Sequence, residues 1–361
     1  MNPSLRNLLF FLLLVSHAQG AEASEKIPAY DRLFHRSSGW IGADADYSVS
    51  LGGNSIVWLF GDTFLGEIRD GRRVPSTMIN NSIGIQHRLD PATARVDFFC
   101  SSSSNAKPQS LIAPKEAQRW FWPADGVMER ERLLVFLSEL ERTSVPSAFG
   151  FRQIGTTLCM VANPLDVPTA WKFTLRKIPF TKLSTGENRI FGAAILKAAG
   201  FVYLYGLREC PSHDKSMILA RVPDGHLENF HRWRFYTGKE WSRLSSRAAD
   251  LCPDVANEYS VSWLPALHRY VLICTPNGLS GNIIARTAPN PWGPWSNAKI
   301  VYHCPEAPWG HGIFCYAAKA HPMLSTAPNE LIVTYAANAT NPETLLSDAR
   351  LYWPRFVRVK F

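Results

Sequence analysis

The sequence predicts an all-β chain folded as a five-bladed β-propeller, and three observations predict it. Short apolar runs cut by Gly, Pro, Asn and Asp recur along the chain, and their length and mostly β-branched or aromatic content suit strands. A segment of small or aromatic residues precedes each run by about six to fifteen residues. Long helical periodicity is nearly absent, with only short candidates such as Trp241 to Ala249.

In chain order the apolar runs are Ile56-Val57-Trp58-Leu59-Phe60, Leu133-Leu134-Val135-Phe136-Leu137, Phe201-Val202-Tyr203-Leu204-Tyr205, Tyr270-Val271-Leu272-Ile273-Cys274 and Leu331-Ile332-Val333-Thr334-Tyr335. The segments before them contain, in the same order, Asp44, Asp125, Gly192, Tyr259 and Tyr316, spaced 81, 67, 67 and 57 apart. That is the irregular repeat expected of propeller blades with decorated loops. Small residues on an innermost strand let strands crowd round an axis, and the next strand, buried on both faces, reads as an unbroken apolar run. Five units predict five blades. A two-sheet sandwich also spaces strands regularly, but the pairing of a small-residue segment with an apolar run favours the propeller.

The 361 residues carry 38 Lys plus Arg against 30 Asp plus Glu, a net charge of +8, with 46% apolar and 12% aromatic residues. Such a chain is folded, neither disordered nor a coiled coil. Its basic residues form no run of five and no zinc-finger spacing, so no nucleic-acid footprint is present. The expected partner is a polysaccharide or oligosaccharide, acted on by a monomer.

At the N-terminus Arg6 precedes the apolar run Leu8 to Val15, followed by Ala18-Gln19-Gly20, the order of a secretory signal peptide over residues 1–20. The run is too short to span a bilayer. The expected organisation is one propeller domain over 21–361, secreted or periplasmic, with no membrane span. Seven Cys (Cys100, Cys159, Cys210, Cys252, Cys274, Cys304 and Cys315) match no zinc spacing. In an exported chain they predict one or two disulfides plus buried thiols. Asn80-Asn81-Ser82 and Asn338-Ala339-Thr340 fit the glycosylation pattern.

The first unit carries the most pointed chemistry. Asp44 sits between small residues on the presumed innermost strand, and Asp62 directly follows the first apolar run. Two carboxylates on adjacent antiparallel strands can face one axial pocket. Glycoside hydrolysis needs such a pair: one carboxyl protonates the leaving oxygen, and the other attacks the anomeric carbon or activates water. The bland alternative is that each Asp caps a turn. Asp125 in Trp122-Pro123-Ala124-Asp125-Gly126 holds the matching place in the second unit. Glu258 is a third acid candidate, and His321 and His311 are candidates to bind a hydroxyl or tune a carboxylate. Trp122, Trp309, Phe121 and Tyr259 offer flat apolar faces for sugar rings, although most such rings simply pack.

Other chemistries find little support. No Gly-x-Ser-x-Gly elbow, Gly-rich phosphate loop, His-Glu-x-x-His or dinucleotide fingerprint occurs, and no cofactor or metal site is implied. Asp44-x-Asp46 resembles a fragment of a calcium loop without the later Gly and Glu. A sialidase-like propeller would need an arginine cluster, for which only Arg189 is suggestive.

The motifs Gly42-Ala43-Asp44-Ala45-Asp46-Tyr47-Ser48, Trp58-Leu59-Phe60-Gly61-Asp62-Thr63, Asn80-Asn81-Ser82-Ile83, Trp122-Pro123-Ala124-Asp125-Gly126, Pro291-Trp292-Gly293-Pro294-Trp295-Ser296 and His321-Pro322 together carry a resemblance. Over roughly Ser38 to Asn338 the chain resembles a family of secreted bacterial five-bladed propellers, long catalogued as a domain of unknown function and associated with endo-acting D-arabinanases. The resemblance implies Asp44 and Asp62 as catalytic carboxylates acting on α-linked arabinofuranose. It brings Asn81 in with Asp125, Trp122, Glu258, Tyr259, His321 and His311 as substrate-binding candidates. Where that family often has Gly-Asp-Gly, this chain has Ala43-Asp44-Ala45. The expected function is a secreted glycoside hydrolase; the alternative is a non-catalytic propeller that binds carbohydrate or protein.

Overall fold

The computed structural model of the chain describes residues 24–144 and 150–361. The expected signal peptide lies outside them. The described chain is all-β and β-propeller-like, with seven antiparallel sheets. Five of the sheets have four or more strands. In sheet I the strands are Tyr47–Gly52, Ser55–Phe60, Ser82–His87 and Arg95–Phe99. Sheet II is Arg119–Glu129, Arg132–Arg142, Phe151–Val161 and Phe173–Lys177. Sheet III is built on Asn188–Ala198, Phe201–Glu209, Lys215–Pro223 and Arg234–Tyr236, with a short strand added at each edge. Sheet IV is Tyr259–Leu264, Arg269–Cys274, Asn282–Ala288 and Lys299–His303. Sheet V runs Ile313–Ala320, Glu330–Ala339, Arg355–Lys360, and takes Ser24–Lys26 from the other end of the chain as its outermost strand.

Each apolar run falls on the second strand of its sheet, where burial on both faces requires it; Trp58, Phe136, Tyr205, Ile273 and Val333 are fully buried. Each such side chain contributes about 1.5–3 kcal/mol on leaving water. The first strands of sheets I to V pack in succession, I on II, II on III, III on IV and IV on V. Between V and I, the Lys319 ammonium bonds Ala45 O and the His321 ring bonds Ser48.

Small residues are needed because these first strands are bulged. Register slips occur at Pro123/Gly126 in sheet II, Phe191/Ala194 in sheet III and Tyr316/Lys319 in sheet V. A bulge kinks the strand and re-aims its side chains. Gly192 takes φ +105 inside one of them, and a Cβ there would run into the Phe136 ring. The three-stranded sheet Ser38–Ala43, Thr63–Arg69, Arg72–Ile79 and the ribbon of Ser101–Ser102 with Pro108–Gln109 lie outside the five larger sheets.

Three expectations are corrected. All seven cysteines are free, so the expected disulfides are absent from the described residues. Trp241 to Ala249 is not helical but a two-residue strand, Trp241–Ser242, and a 3-10 turn, Ser245–Arg247, because Trp241 pairs with Tyr236 at the sheet edge. Asp44 does not lie on an innermost strand. It lies in the kink between Ser38–Ala43 and Tyr47–Gly52, where Ala45 and Asp46 take φ of 69 and 55. No helix among the described residues is long and apolar enough to cross a membrane.

Candidate active site

Two acids meet where sheet I begins. Tyr47 pairs with Leu59, so the residues just before the first strand and just after the second lie at the same end of the hairpin. Those residues are Asp44 and Asp62. The Gly61 amide donates to Asp44 O at 3.0 Å, which ties the two entry points together. Gly61 has no alternative there, because a Cβ would sit 2.5 Å from Asp44 Oδ1. Both acids stay partly exposed while Ala45, Asp46, Thr63 and Asn81 around them are buried.

The two carboxyls have different surroundings. Asp44 Oδ2 accepts from the Tyr316 hydroxyl at 2.6 Å, and Asn338 donates to that same hydroxyl at 3.1 Å. Tyr352 also faces Asp44 and favours its anion. Burial first, then the charges of Asp62 and Glu258, push the Asp44 carboxyl well above the usual carboxylate range, against the pull of the two tyrosines. Asp62 Oδ1 accepts from Trp122 Nε1 at 2.7 Å and from Asn80 Nδ2 at 3.0 Å. Burial lifts Asp62 to about 6, and these two donors, with the Arg142 charge, hold it from rising further. Two carboxyls with divergent proton affinities can divide the roles of acid and anion between them.

Behind the pair lies a buried ammonium. Lys319, 1% exposed, donates to Ala45 O, to Ala317 O at 2.6 Å and to Glu258 Oε2 at 2.9 Å, with its charge 4.5 Å from the Tyr47 ring centre. It thereby joins sheets I, IV and V beside Asp44. Asp46 is fully buried, and neither carboxyl oxygen has a hydrogen-bond partner among the described residues. Burial drives Asp46 up to about 7 against the Lys319 charge.

The other candidates divide. Trp122 is at the site, holding Asp62. Glu258 is near it, on Lys319, and partly exposed. Asp125 ties two sheets: Oδ1 accepts from Gly126 N at 2.8 Å and Oδ2 from Ile195 N at 2.6 Å, across the bulges of sheets II and III. Burial raises it to about 7 despite both bonds.

Asn81 is fully buried and bonds Ile112 through both ends of its amide and Phe121 O at 3.0 Å, so it braces a loop against sheet II. Its neighbour Asn80 is the one that reaches Asp62. Tyr259 is fully buried, its hydroxyl on Gly206 O at 2.7 Å, and offers no ring face to a sugar. Phe121 is likewise buried. His321 is 1% exposed with Ser48 on Nδ1 at 2.6 Å and Thr334 on Nε2 at 2.7 Å; burial and the Lys319 charge hold it well below the usual histidine range. It is a satisfied core histidine. His311 lies exposed on the loop before sheet V, near Trp309, whose ring sits beneath Arg350 and Arg355. Arg189 is buried against Glu187 and heads no arginine cluster.

Sequence reasoning missed Asn80, Asn338, Tyr352 and Lys319 as parts of the site, placed Asp46 beside it as an added charge, and used Tyr316 only as a repeat marker. Asn80 and Asn338, read as glycosylation positions, instead spend their amides on Asp62 and Tyr316.

A family model described as Domain of unknown function (DUF5005) matches residues 28–361. The chain belongs to the DUF5005 family. No curated protein matches this DUF5005 member in sequence. Among solved structures, a candidate hydrolase from Bacteroides ovatus superposes with a TM-score of 0.76 at 20% identity, over 95% of this chain and 92% of that one. At that identity the likeness is one of fold. An α-L-arabinofuranosidase from Podospora anserina gives a TM-score of 0.47 at 10% identity, over 90% of this chain and 92% of that one. An α-L-arabinofuranosidase from Coprinopsis cinerea gives 0.46 at 11% identity, over 90% and 92%.

Proposed function

We propose that this DUF5005 protein is an exported glycoside hydrolase that cleaves arabinofuranosyl linkages, of the α-D-arabinan type, with Asp44 and Asp62 as its carboxylate pair. The observation that carries the reading is the asymmetry of that pair. Asp44, half-buried beside other acids that raise its proton affinity and bonded by Tyr316, serves as general acid toward the leaving oxygen. Asp62, held by Trp122 and Asn80, is the anionic partner that faces the anomeric carbon or its attacking water. In this reading sheets I to V are the blades of a five-bladed propeller in one domain over 21–361, closed where Ser24–Lys26 joins the last blade. The Bacteroides ovatus likeness supports the fold, and the first-blade motif supports the substrate class. Trp122 borders the subsite, Glu258 and Lys319 set its charge, and the leader over 1–20 directs the chain out of the cytoplasm.

The test is a screen of the purified protein against D-arabinan, L-arabinan, fructan and xylan with product sizing. Release of short oligosaccharides from D-arabinan supports the reading. Binding of a glycan without any product, from all four, returns the chain to the non-catalytic alternative.

A further inference from the structure

We propose a second glycan-binding surface, at the end of the molecule opposite the acid pair, that takes a chain bearing carboxylate, sulfate or phosphate groups. It stands independently of the hydrolase reading. Trp122, which holds Asp62, lies near the start of Arg119–Glu129, and Arg130 occupies the turn at the far end of that strand. Eight residues of extended chain separate them by roughly 25 Å.

At that far end two grooves adjoin. One, about 370 Å³, is lined by Arg130, Arg176, His226, Glu228, Phe230 and His231 among others. The other, about 280 Å³, is lined by Phe201, Arg221, Pro223, Arg232 and Arg234. The loop between Pro223 and Arg234 borders both.

The acids of this surface are mostly spent. Glu228 is held bidentately by Arg132 at 3.1 and 2.9 Å, and Asp224 by Lys197 at 2.9 Å. Buried Glu129 accepts from Leu227 N. Only Glu131, exposed beside Arg130, is left. On the cationic side, Arg176 gives one N–H to Glu228 O at 3.0 Å; the Arg130 and Arg232 side chains make no hydrogen bond or close ion pair among the described residues, although the Arg130 charge, after those of Arg132 and Arg176, helps hold the Glu228 carboxyl down. Open guanidinium forks match carboxylate, sulfate and phosphate oxygens two at a time.

The aromatic rings decide between a glycan and a nucleic acid. Arg176 lies 5.0 Å over the Phe230 ring, and Arg221 lies 4.2 Å over Phe201 and 4.0 Å over Trp241. These rings are already covered, and single-stranded nucleic acid is held by bases stacked on open ones. An anionic glycan needs only the guanidinium forks.

The test measures binding of the full chain to polygalacturonate, dextran sulfate, a polyphosphate, neutral dextran and a single-stranded oligonucleotide at low and physiological salt. The R130Q/R232Q variant is compared with R72Q/R95Q, which removes equal charge from elsewhere on the protein. The expected result is salt-sensitive binding of at least one anionic glycan, none of neutral dextran, and about tenfold weaker binding by R130Q/R232Q alone; binding of the polyphosphate and of neither glycan overturns the proposal. The preferred arm names the anionic group. Equal loss in both variants, binding of dextran as tight as of its sulfate, or tighter binding of the oligonucleotide overturns the proposal.

Discussion

The Tyr316 hydroxyl donates to Asp44 Oδ2 at 2.6 Å, and so fastens the first strand of sheet V to the kink that opens sheet I. This bond favours the Asp44 anion, while burial and the charges of Asp62 and Glu258 oppose it more strongly. In the proposed mechanism Asp44 works protonated and Asp62 works ionised. The rate therefore rises with pH through about 6, as Asp62 loses its proton, and falls at higher pH as Asp44 loses its own. Tyr316→Phe removes a donor to the Asp44 anion and moves the alkaline limb up. Trp122→Phe removes a donor to the Asp62 anion and moves the acid limb up. Profiles of kcat/KM against pH check both; a limb moving the other way contradicts the assignment of roles.

Gly61 touches Asp44 where no side chain fits. In Gly61→Ala the new methyl displaces the Asp44 carboxyl, and activity falls about 100-fold with the thermal transition kept within a few degrees. Wild-type rates in that variant would mean that the position of Asp44 is immaterial.

Asp46 gives a stability test free of catalysis. Its folded value of about 7 lies above the unfolded value near 3.9, so the folded state binds its proton more tightly. That contribution is full below about pH 4 and is lost as pH rises through about 7. Asp46→Asn cannot ionise and escapes the loss. Its stability relative to wild type, read from urea melts, increases between pH 5 and pH 8. A difference independent of pH would contradict the burial of an unpartnered carboxyl.

Lys319 lies among acids that its charge steadies. Lys319→Met leaves Glu258 without its partner and Ala45 O without a donor, and destabilises the fold by about 3–5 kcal/mol. Chemical denaturation measures the loss; a variant as stable as wild type would show that the ammonium is dispensable.

Much of the fold was legible because burial on two faces writes itself into composition: all five apolar runs are second strands. Asp62 was legible for the same reason, since a polar residue directly after such a run emerges at a strand end. Bulges were not, because a one-residue slip leaves no trace in a short window, and so Asp125 looked like a pocket acid when both its oxygens bind backbone. Tyr259 and His321 look the same in sequence whether they face a groove or the core. Tyr316, itself held by Asn338, reaches Asp44 only because the last sheet packs beside the first, a contact no local spacing reports.

The most direct test of the account is the initial rate of D-arabinan hydrolysis by wild type, Asp44→Asn and Asp62→Asn, with glycan binding measured in parallel. Each substitution keeps the shape of the side chain; Asp44→Asn removes the proton that the acid would deliver, and Asp62→Asn removes the negative charge. The account predicts rates lowered by roughly 10²–10⁴-fold in both variants with binding retained. Full activity in either variant would contradict it.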